Sequence, residues 1–371
     1  MTPTTVRRRR APRLVASALV LGLIVAAGAQ APIAAQSGVR DQLTPALAWM
    51  TNPEARDPVE TIDAYLLVWA EDRGGGADLY TKRLFGNGLS QGGPTKQGIA
   101  IIRETGRAAD PPGERAEPDV VYNPARQEAF LVWSEFTGEP NGWDVFSVRV
   151  STAGYSKSAP RALFEGPGDQ RHPDVALIND DSSAGDGDYM VVWDDNTRDL
   201  DEVWGRRIRA NGIPKSDPYL VFAGESWNAS DPTTSGAVVA WVDDRGDELG
   251  DDDDLWAIRL RNGLVSGNDY RIAGTADDDF NPNFGSGALV WNTYDASSGT
   301  DIQGTQVYAN ERTRGPTVGI VVPAADQSWP VIANGLLVFS DNRSGGFDIY
   351  AMRTVNIRSR GREFAVHLDR P

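Results

Sequence analysis

One segment recurs six times along the chain, and each copy has the composition of two β-strands joined by a polar turn. An apolar run ends in an aromatic residue, an acidic or glycine-rich turn follows, and an acidic, apolar and aromatic stretch then ends near an arginine in most copies. Two of the copies read VVWDDNTRDLDEVWGRRI and LLVFSDNRSGGFDIYAMRT. A repeat of this length and composition indicates one supersecondary unit copied in an array.

Each unit predicts four short strands. The first strand follows a repeated proline, the second ends at the repeated aromatic residue, the third starts at an acidic residue, and the fourth is another apolar run. The prolines are Pro45, Pro118, Pro173, Pro232, Pro282 and Pro330, and the aromatics are Trp69, Trp133, Trp193, Trp241, Trp291 and Phe339. No stretch keeps a 3.6-residue period, so the sequence predicts an all-β fold: a six-bladed β-propeller with four antiparallel strands per blade over residues 40–371.

The N-terminus has the order of a secretory signal. Arg7 to Arg10 and Arg13 precede an apolar run of 16 residues from Leu14 to about Ala29, and small residues follow. This run is shorter than the roughly 20 residues that a membrane span needs. We therefore expect residues 1–35 to be a signal peptide and the mature chain to be secreted or held in the cell envelope without a stable membrane span; an uncleaved anchor is the alternative.

The charge and the cysteine content of the chain limit the classes of partner that it can bind and the way in which its fold is stabilised. The formal charge of −16 becomes about −21 once residues 1–35 are removed, because they hold five arginines and no acid. A surface of this sign repels nucleic acid and anionic lipid. The chain has no cysteine, so burial and strand pairing alone hold the exported fold together. We expect a monomer that meets a protein or a glycan at one propeller face.

Two stretches carry a family resemblance. LLVFSDNRSGGFDIYAM, from Leu336 to Met352, resembles the repeat of TolB-type periplasmic propellers. GDQRHPDVAL followed by DYMVVWDDN is similar to extracellular bacterial repeats of the form Pro-x-Val-Ala, Val-Val-Trp and Asp-Ile-Tyr-Gly-x-Arg. The resemblance covers residues 40–371 one repeat at a time, and it implies a propeller fold and an interaction role. The fifth unit departs from the pattern, since Gln303 replaces the aromatic and Gln306 the arginine.

A few residues stand outside the repeated positions. The repeated tryptophans are most simply core, because a residue type that recurs at one blade position fills the space between neighbouring sheets. Trp143 and Trp227 lie in turn-like segments instead and are candidate ligand contacts, as is Gln303 in the atypical fifth unit. The two histidines, His172 and His367, have no catalytic pattern near them in the sequence.

Aspartates supply the candidate metal ligands. Asp251, Asp252 and Asp253 belong to a dense acidic run, and Asp277 and Asp279 alternate like the start of a calcium loop, although the rest of an EF-hand is missing. Hard oxygen ligands in an exported, acidic chain make calcium the metal to expect. A solvated turn is the simpler interpretation of each group.

These features favour an exported, non-catalytic binding or scaffold propeller. The alternatives are a hydrolase of an extracellular polysaccharide and a calcium-dependent adhesin. A hydrolase would require an inward-facing carboxylate pair near the central axis, and the sequence alone marks no such pair. Because turns alternate between the two ends of the strands, we also expect one strongly acidic face. That face carries the turns between second and third strands and the connections between blades.

Overall fold

The computed structural model describes residues 42–51, 64–72, 77–86, 99–100, 115–138, 140–178, 187–245, 253–273, 277–285, 287–295, 299–307, 317–321, 326–343 and 345–353. Regular structure in these residues is entirely β-strand. No helix long and apolar enough to cross a membrane occurs in this part of the chain. The expected signal peptide, residues 1–35, lies outside the described residues.

The strands form six antiparallel sheets, one for each repeat. Blade 1 holds β1 (Gln42–Met50), β2 (Ala64–Asp72), β3 (Ala77–Phe85) and β4 (Ile99–Ala100), and blade 2 holds β5 (Arg115–Asn123), β6 (Glu128–Gly138), β7 (Gly142–Ser151) and β8 (Arg161–Phe164). Blade 3 holds β9 (Gln170–Ile178), β10 (Asp188–Asp195), β11 (Glu202–Arg209) and β12 (Tyr219–Phe222). Blade 4 holds β13 (Ala229–Thr234), β14 (Val238–Asp243), β15 (Asp254–Arg261), β16 (Leu264–Val265) and β17 (Tyr270–Ala273). Blade 5 holds β18 (Asp278–Gly285), β19 (Ala288–Asp295), β20 (Gly299–Gln306) and β21 (Val318–Val321), and blade 6 holds β22 (Gln327–Ala333), β23 (Leu336–Asp341) and β24 (Asp348–Arg353).

The predicted six-bladed propeller is therefore confirmed, with two departures from four strands per blade. Blade 4 has an extra short strand, β16, which pairs with the end of β15 before the chain turns back as β17. Blade 6 shows three strands among the described residues. Its predicted fourth strand, Phe364–Leu368, lies outside them.

The first strands of the six blades surround the central axis. Contacts run from β1 to β5, β5 to β9, β9 to β13, β13 to β18, β18 to β22, and from β22 back to β1. The last of these contacts closes the ring. The Tyr65 hydroxyl, in blade 1, donates to the Asn334 carbonyl oxygen of blade 6 at 3.0 Å. Packing of the last described blade on the first thus joins the two ends of the array.

Each of the six hydrophobic cores is shared by two neighbouring blades. The repeated aromatic on the second strand of each blade fills the space against the preceding blade, and all six aromatics are at most 3% exposed. Trp193, for example, packs with Phe130 and Val132 of blade 2. The prediction that these aromatics are core is confirmed.

The inner strands share an irregularity that the sequence analysis did not predict. In each of them the residue before the repeated proline has a φ between 46° and 52°, and the pairing with the second strand shifts register there. The six residues are Thr44, Glu117, His172, Asp231, Asn281 and Trp329; we call them the axial ring. Left-handed backbone costs about 1–2 kcal/mol for a residue other than glycine. A β-bulge of this kind re-aims side chains.

The axial ring lies near the end of the propeller that carries the turns between second and third strands, which we call the 2–3 face. Asn228 fixes the relation between blades 3 and 4, because it accepts from the Asp201 amide at 3.2 Å and donates to the Asp244 carboxylate at 2.9 Å. Asp201 and Asp244 belong to the 2–3 turns of these two blades. Both turns therefore lie on one face of the propeller, which the expected acidic face requires. The net charge of each face stays a prediction.

Candidate functional site

Near the 2–3 face, three members of the axial ring lie close to a residue on the second strand of blade 3. His172 Nδ1 lies 2.7 Å from Asp194 Oδ2 and 3.0 Å from Asp231 Oδ1, and its Nε2 lies 3.4 Å from Glu117 Oε1. Arg171 forms an ion pair with Glu117. These five residues, Glu117, Arg171, His172, Asp194 and Asp231, are the axial cluster. They come from blades 2, 3 and 4.

The bulges help to build this cluster, because at several of them the backbone N–H donates to a polar side chain of the preceding blade. Glu117 Oε2 accepts from the His172 amide at 3.0 Å, and Asp194 Oδ2 accepts from the Asp231 amide at 3.0 Å. On the other side of the ring, Asn292 Oδ1 accepts from the Trp329 amide at 2.9 Å. The carboxylates thus have a structural role as well as a position on the axis.

Burial and opposite charge act against each other at these groups. Burial alone lowers the pKa of His172, but the carboxylates of Asp231, Asp194 and Glu117 raise it well above its usual value. Burial raises the pKa of Asp194, yet the charge and hydrogen bond of His172 leave it lowered overall. The pKa of Glu117 is likewise lowered, because His172 and Arg171 outweigh its burial. Asp231 is different, since burial leaves its pKa raised despite the charge of His172.

A second polar layer lies two residues further along four inner strands. Asp119 Oδ2 accepts from the Val175 amide at 2.8 Å, and Asp174 Oδ1 accepts from the Thr234 amide at 2.8 Å. Thr233 and Asn283 accept from the next inner strand in the same way. Burial raises the pKa of Asp119 to about 6, and burial together with the charge of Asp119 raises that of Asp174. These carboxylates connect inner strands to one another.

Aromatic side chains lie around the cluster on the 2–3 face. The Arg171 guanidinium lies over Trp143 at 4.6 Å from the ring centre, and Trp143 is also 5.8 Å from Phe136, which is 39% exposed. In the axial ring itself, Trp329 lies edge-on to Phe347 at 6.0 Å. Trp143, a candidate from the sequence, is therefore next to the axial cluster. Trp329 was not predicted, although its place before a repeated proline marks it.

The other two ligand candidates lie elsewhere. Trp227 is half-buried between blades 3 and 4, where the Arg245 guanidinium lies 5.3 Å from its ring centre. A side chain on Gly224 would collide with the Trp227 indole, so this tryptophan is packed against backbone. Gln303 faces Trp291 across β19 and β20, on the third strand of its blade and away from the inner strands. Neither residue belongs to the axial cluster.

Three of the five calcium candidates, Asp253, Asp277 and Asp279, belong to the described residues. Asp251 and Asp252 lie outside the described residues. Asp279 is in strand β18 rather than in a loop, and its fully buried carboxylate accepts from Trp291 Nε1 at 2.8 Å. Burial and the nearby charges of Asp278 and Asp244 raise the pKa of Asp253. Asp277 directly precedes β18.

Sequence reasoning missed the axial cluster because its members are far apart in the chain: His172 and Glu117 are separated by 55 residues. Inward carboxylates, which the sequence did not mark, are present on three blades. One sequence signal could have found the cluster. The residue before the repeated proline is an equivalent position in all six units, and comparing the units at this position picks out Glu117, His172 and Asp231.

No family model matches the sequence, and no curated protein matches it either. Solved structures do resemble the fold. A puromycin hydrolase has 15% identity and a TM-score of 0.48, with 83% of this chain and 43% of that one covered. A puromycin-hydrolyzing peptidase of Mycobacterium tuberculosis has 13% identity and a TM-score of 0.47, with 88% and 46% covered.

An endo-arabinase from Bacteroides thetaiotaomicron has 10% identity and a TM-score of 0.42, with 88% of this chain and 97% of that chain covered. The chain spans less than half the length of the two puromycin-cleaving enzymes. At these identities the similarity concerns the fold alone and says nothing about activity.

Proposed function

We propose that the chain is an exported binding propeller that takes a glycan over the axial cluster on the 2–3 face. The observation that supports this most is the contrast between two sets of equivalent positions. The interface aromatics repeat from blade to blade, whereas the six axial-ring residues are all different: Thr44, Glu117, His172, Asp231, Asn281 and Trp329. Six different side chains at one repeated position form an asymmetric ring, and an asymmetric ring suits an asymmetric ligand.

The chemistry around the ring favours sugar. Carboxylates accept hydrogen bonds from hydroxyl groups, and aromatic rings such as Trp143 and Trp329 offer flat faces to the C–H side of a pyranose. The cluster holds three carboxylates against Arg171 and His172. An amino-bearing glycan would therefore be preferred to an acidic one. The protein must be exported to reach such a glycan, and we infer export from its basic and apolar N-terminal segment.

The test is a glycan screen with the mature chain, followed by titration of the best ligand into two variants. Trp143→Ala removes the aromatic beside the cluster, and we expect it to weaken binding at least tenfold. Trp49→Ala is the matched control, because Trp49 is 37% exposed near the opposite end of β1 and should leave affinity unchanged. Equal affinity in wild type and Trp143→Ala, or lost affinity in Trp49→Ala, would exclude this site.

A hydrolase is the second candidate, and one observation favours it. Asp194 has a lowered pKa, while burial and the charge of Asp194 raise the pKa of nearby Asp201 to about 6. Carboxyl groups whose environments separate their pKa values are suited to act as acid and base. Release of reducing ends from a polysaccharide, lost in Asp201→Asn, would support hydrolysis; no release from any glycan that binds would leave the binding role alone.

A further inference from the structure

The His172 imidazole lies between carboxylates on both of its nitrogen atoms. Nδ1 faces two oxygens, Asp194 Oδ2 at 2.7 Å and Asp231 Oδ1 at 3.0 Å, and a single N–H cannot satisfy both equally well. The two carboxylates also face one another across this atom, so their negative charges repel. A cation between them would remove both problems.

Potential ligand atoms converge at this point. One atom each from His172, Asp194 and Asp231 lie within 4.8 Å of one another, and no other group of three histidine or acidic residues does so in the described part of the chain. Asp194 is almost buried, with 6% of its side chain exposed, whereas His172 is 35% and Asp231 20% exposed. The site is therefore anchored on one side and open on the other.

Glu117 supplies the second independent feature. It approaches Nε2, the nitrogen on the opposite side of the ring, and it is held in place by Arg171 and by the His172 amide. A carboxylate on the far nitrogen is how metal-binding histidines are usually oriented, because it keeps the proton there and leaves the other nitrogen free to coordinate. Glu117 would thus position the imidazole without touching the metal.

We propose that His172 Nδ1 and the carboxylates of Asp194 and Asp231 bind one divalent transition-metal ion of the zinc class. Imidazole nitrogen suits zinc and its neighbours, whereas calcium prefers oxygen ligands throughout. This proposed site differs from the one that the sequence suggests: it lies at the propeller axis instead of the aspartate run near residue 252, and it binds zinc instead of calcium. Three protein ligands leave a coordination position open towards solvent, next to the place where the proposed glycan would lie.

The same atoms would form an ion cage without metal if the imidazole carried two protons. Equilibrium dialysis with Zn²⁺ separates the two arrangements. His367→Ala serves as the background, because the chain has two histidines and this change leaves only His172. We expect one zinc per chain, binding abolished by His172→Gln or Asp231→Asn, and affinity reduced about 10- to 100-fold by Glu117→Gln. Asp119→Asn, which removes a carboxylate of the deeper layer, should bind zinc as the background does.

A measurement on the unaltered site covers the case in which a ligand variant does not fold. In the His367→Ala chain labelled with ¹⁵N-histidine, zinc should shift the Nδ1 resonance and leave a proton on Nε2, and calcium should change neither. An Nδ1 resonance that zinc leaves unchanged would overturn the proposal, as would equal zinc affinity in the background and His172→Gln. Zinc binding without glycan affinity would support the metal site and contradict the proposed glycan binding. Glycan affinity without zinc binding would contradict the metal site alone.

Discussion

The interface tryptophans differ in one detail that affects their energetics. Trp291 Nε1 donates to the fully buried Asp279 carboxylate, and Trp69, Trp133 and Trp241 donate to acids two residues further along their own strands. Trp193 Nε1 has no hydrogen-bond partner among the described residues, although the side chain is fully buried. The repeated aromatic is thus a packing residue in every blade and a hydrogen-bond donor in most.

This difference predicts unequal costs for the same substitution. Trp193→Phe loses packing only, whereas Trp291→Phe also deprives the buried Asp279 carboxylate of a donor. We expect Trp291→Phe to lower the free energy of unfolding by about 1–2 kcal/mol more than Trp193→Phe. Urea denaturation of the two variants measures the difference. Equal losses would mean that the Trp291 bond contributes nothing net.

Asp119 predicts a pH dependence. Its folded pKa of about 6 lies above the ordinary value of 3.8, so its protonation favours the folded state at low pH and that contribution disappears as the pH rises through 6. Asp119→Asn cannot ionise. Relative to wild type, the variant should therefore gain stability between pH 4 and pH 7, by on the order of 2–3 kcal/mol.

Unfolding curves at several pH values, compared between wild type and Asp119→Asn, measure this gain. Asp188→Asn is a suitable control, since Asp188 pairs with Arg207 and Lys215 and lies opposite Ile178, at the end of β9 that is far from the axial ring. A difference between wild type and Asp119→Asn that stays constant with pH would contradict the raised pKa.

At the scale of the element, the inner strand is the most demanding part of a blade. It bends at a bulge, donates to the preceding blade, and lies close to the backbone of the next inner strand. Gly285, near the end of β18, shows how close: a Cβ there would overlap the carbonyl oxygen of Ile332 in β22. Only backbone movement between blades 5 and 6 could relieve such an overlap.

Gly285→Ala should therefore lower the free energy of unfolding by at least about 2 kcal/mol. Gly205→Ala is the matched control, because Gly205 is also within a strand and its added Cβ would mainly meet the flexible end of the Met190 side chain. We expect that control to cost less than about 1 kcal/mol. Thermal or urea unfolding of both variants tests the pair, and a larger loss in Gly205→Ala would contradict the inner-strand packing.

At the scale of the whole molecule, stability depends on a closed ring, since every core is shared by two blades. The Tyr65 hydroxyl bonds blade 1 to blade 6 at 3.0 Å, and the Tyr122 hydroxyl bonds blade 2 to the Thr51 carbonyl oxygen of blade 1 at 3.1 Å. If the ring is closed in solution, Tyr65→Phe and Tyr122→Phe should each cost about 1 kcal/mol. A cost for Tyr122→Phe alone would indicate that blades 6 and 1 separate.

Most of the architecture could be predicted from the sequence because its signals are local. The sequence predicts an acidic residue at the start of each third strand, and β11, β15 and β24 begin at Glu202, Asp254 and Asp348. The site could not be predicted in the same way. His172 acquires its surroundings only when bulges on three blades bring Glu117, Asp194 and Asp231 to the axis, and no local pattern records that convergence.

We propose that the axial cluster, and not the repeated framework, is the functional part of the molecule. Crystals of the mature chain grown with zinc, measured on both sides of the zinc absorption edge, test it most directly. We expect one strong anomalous peak shared by His172 Nδ1 and the carboxylates of Asp194 and Asp231. An anomalous map with no peak at this position, in crystals saturated with zinc, would contradict it.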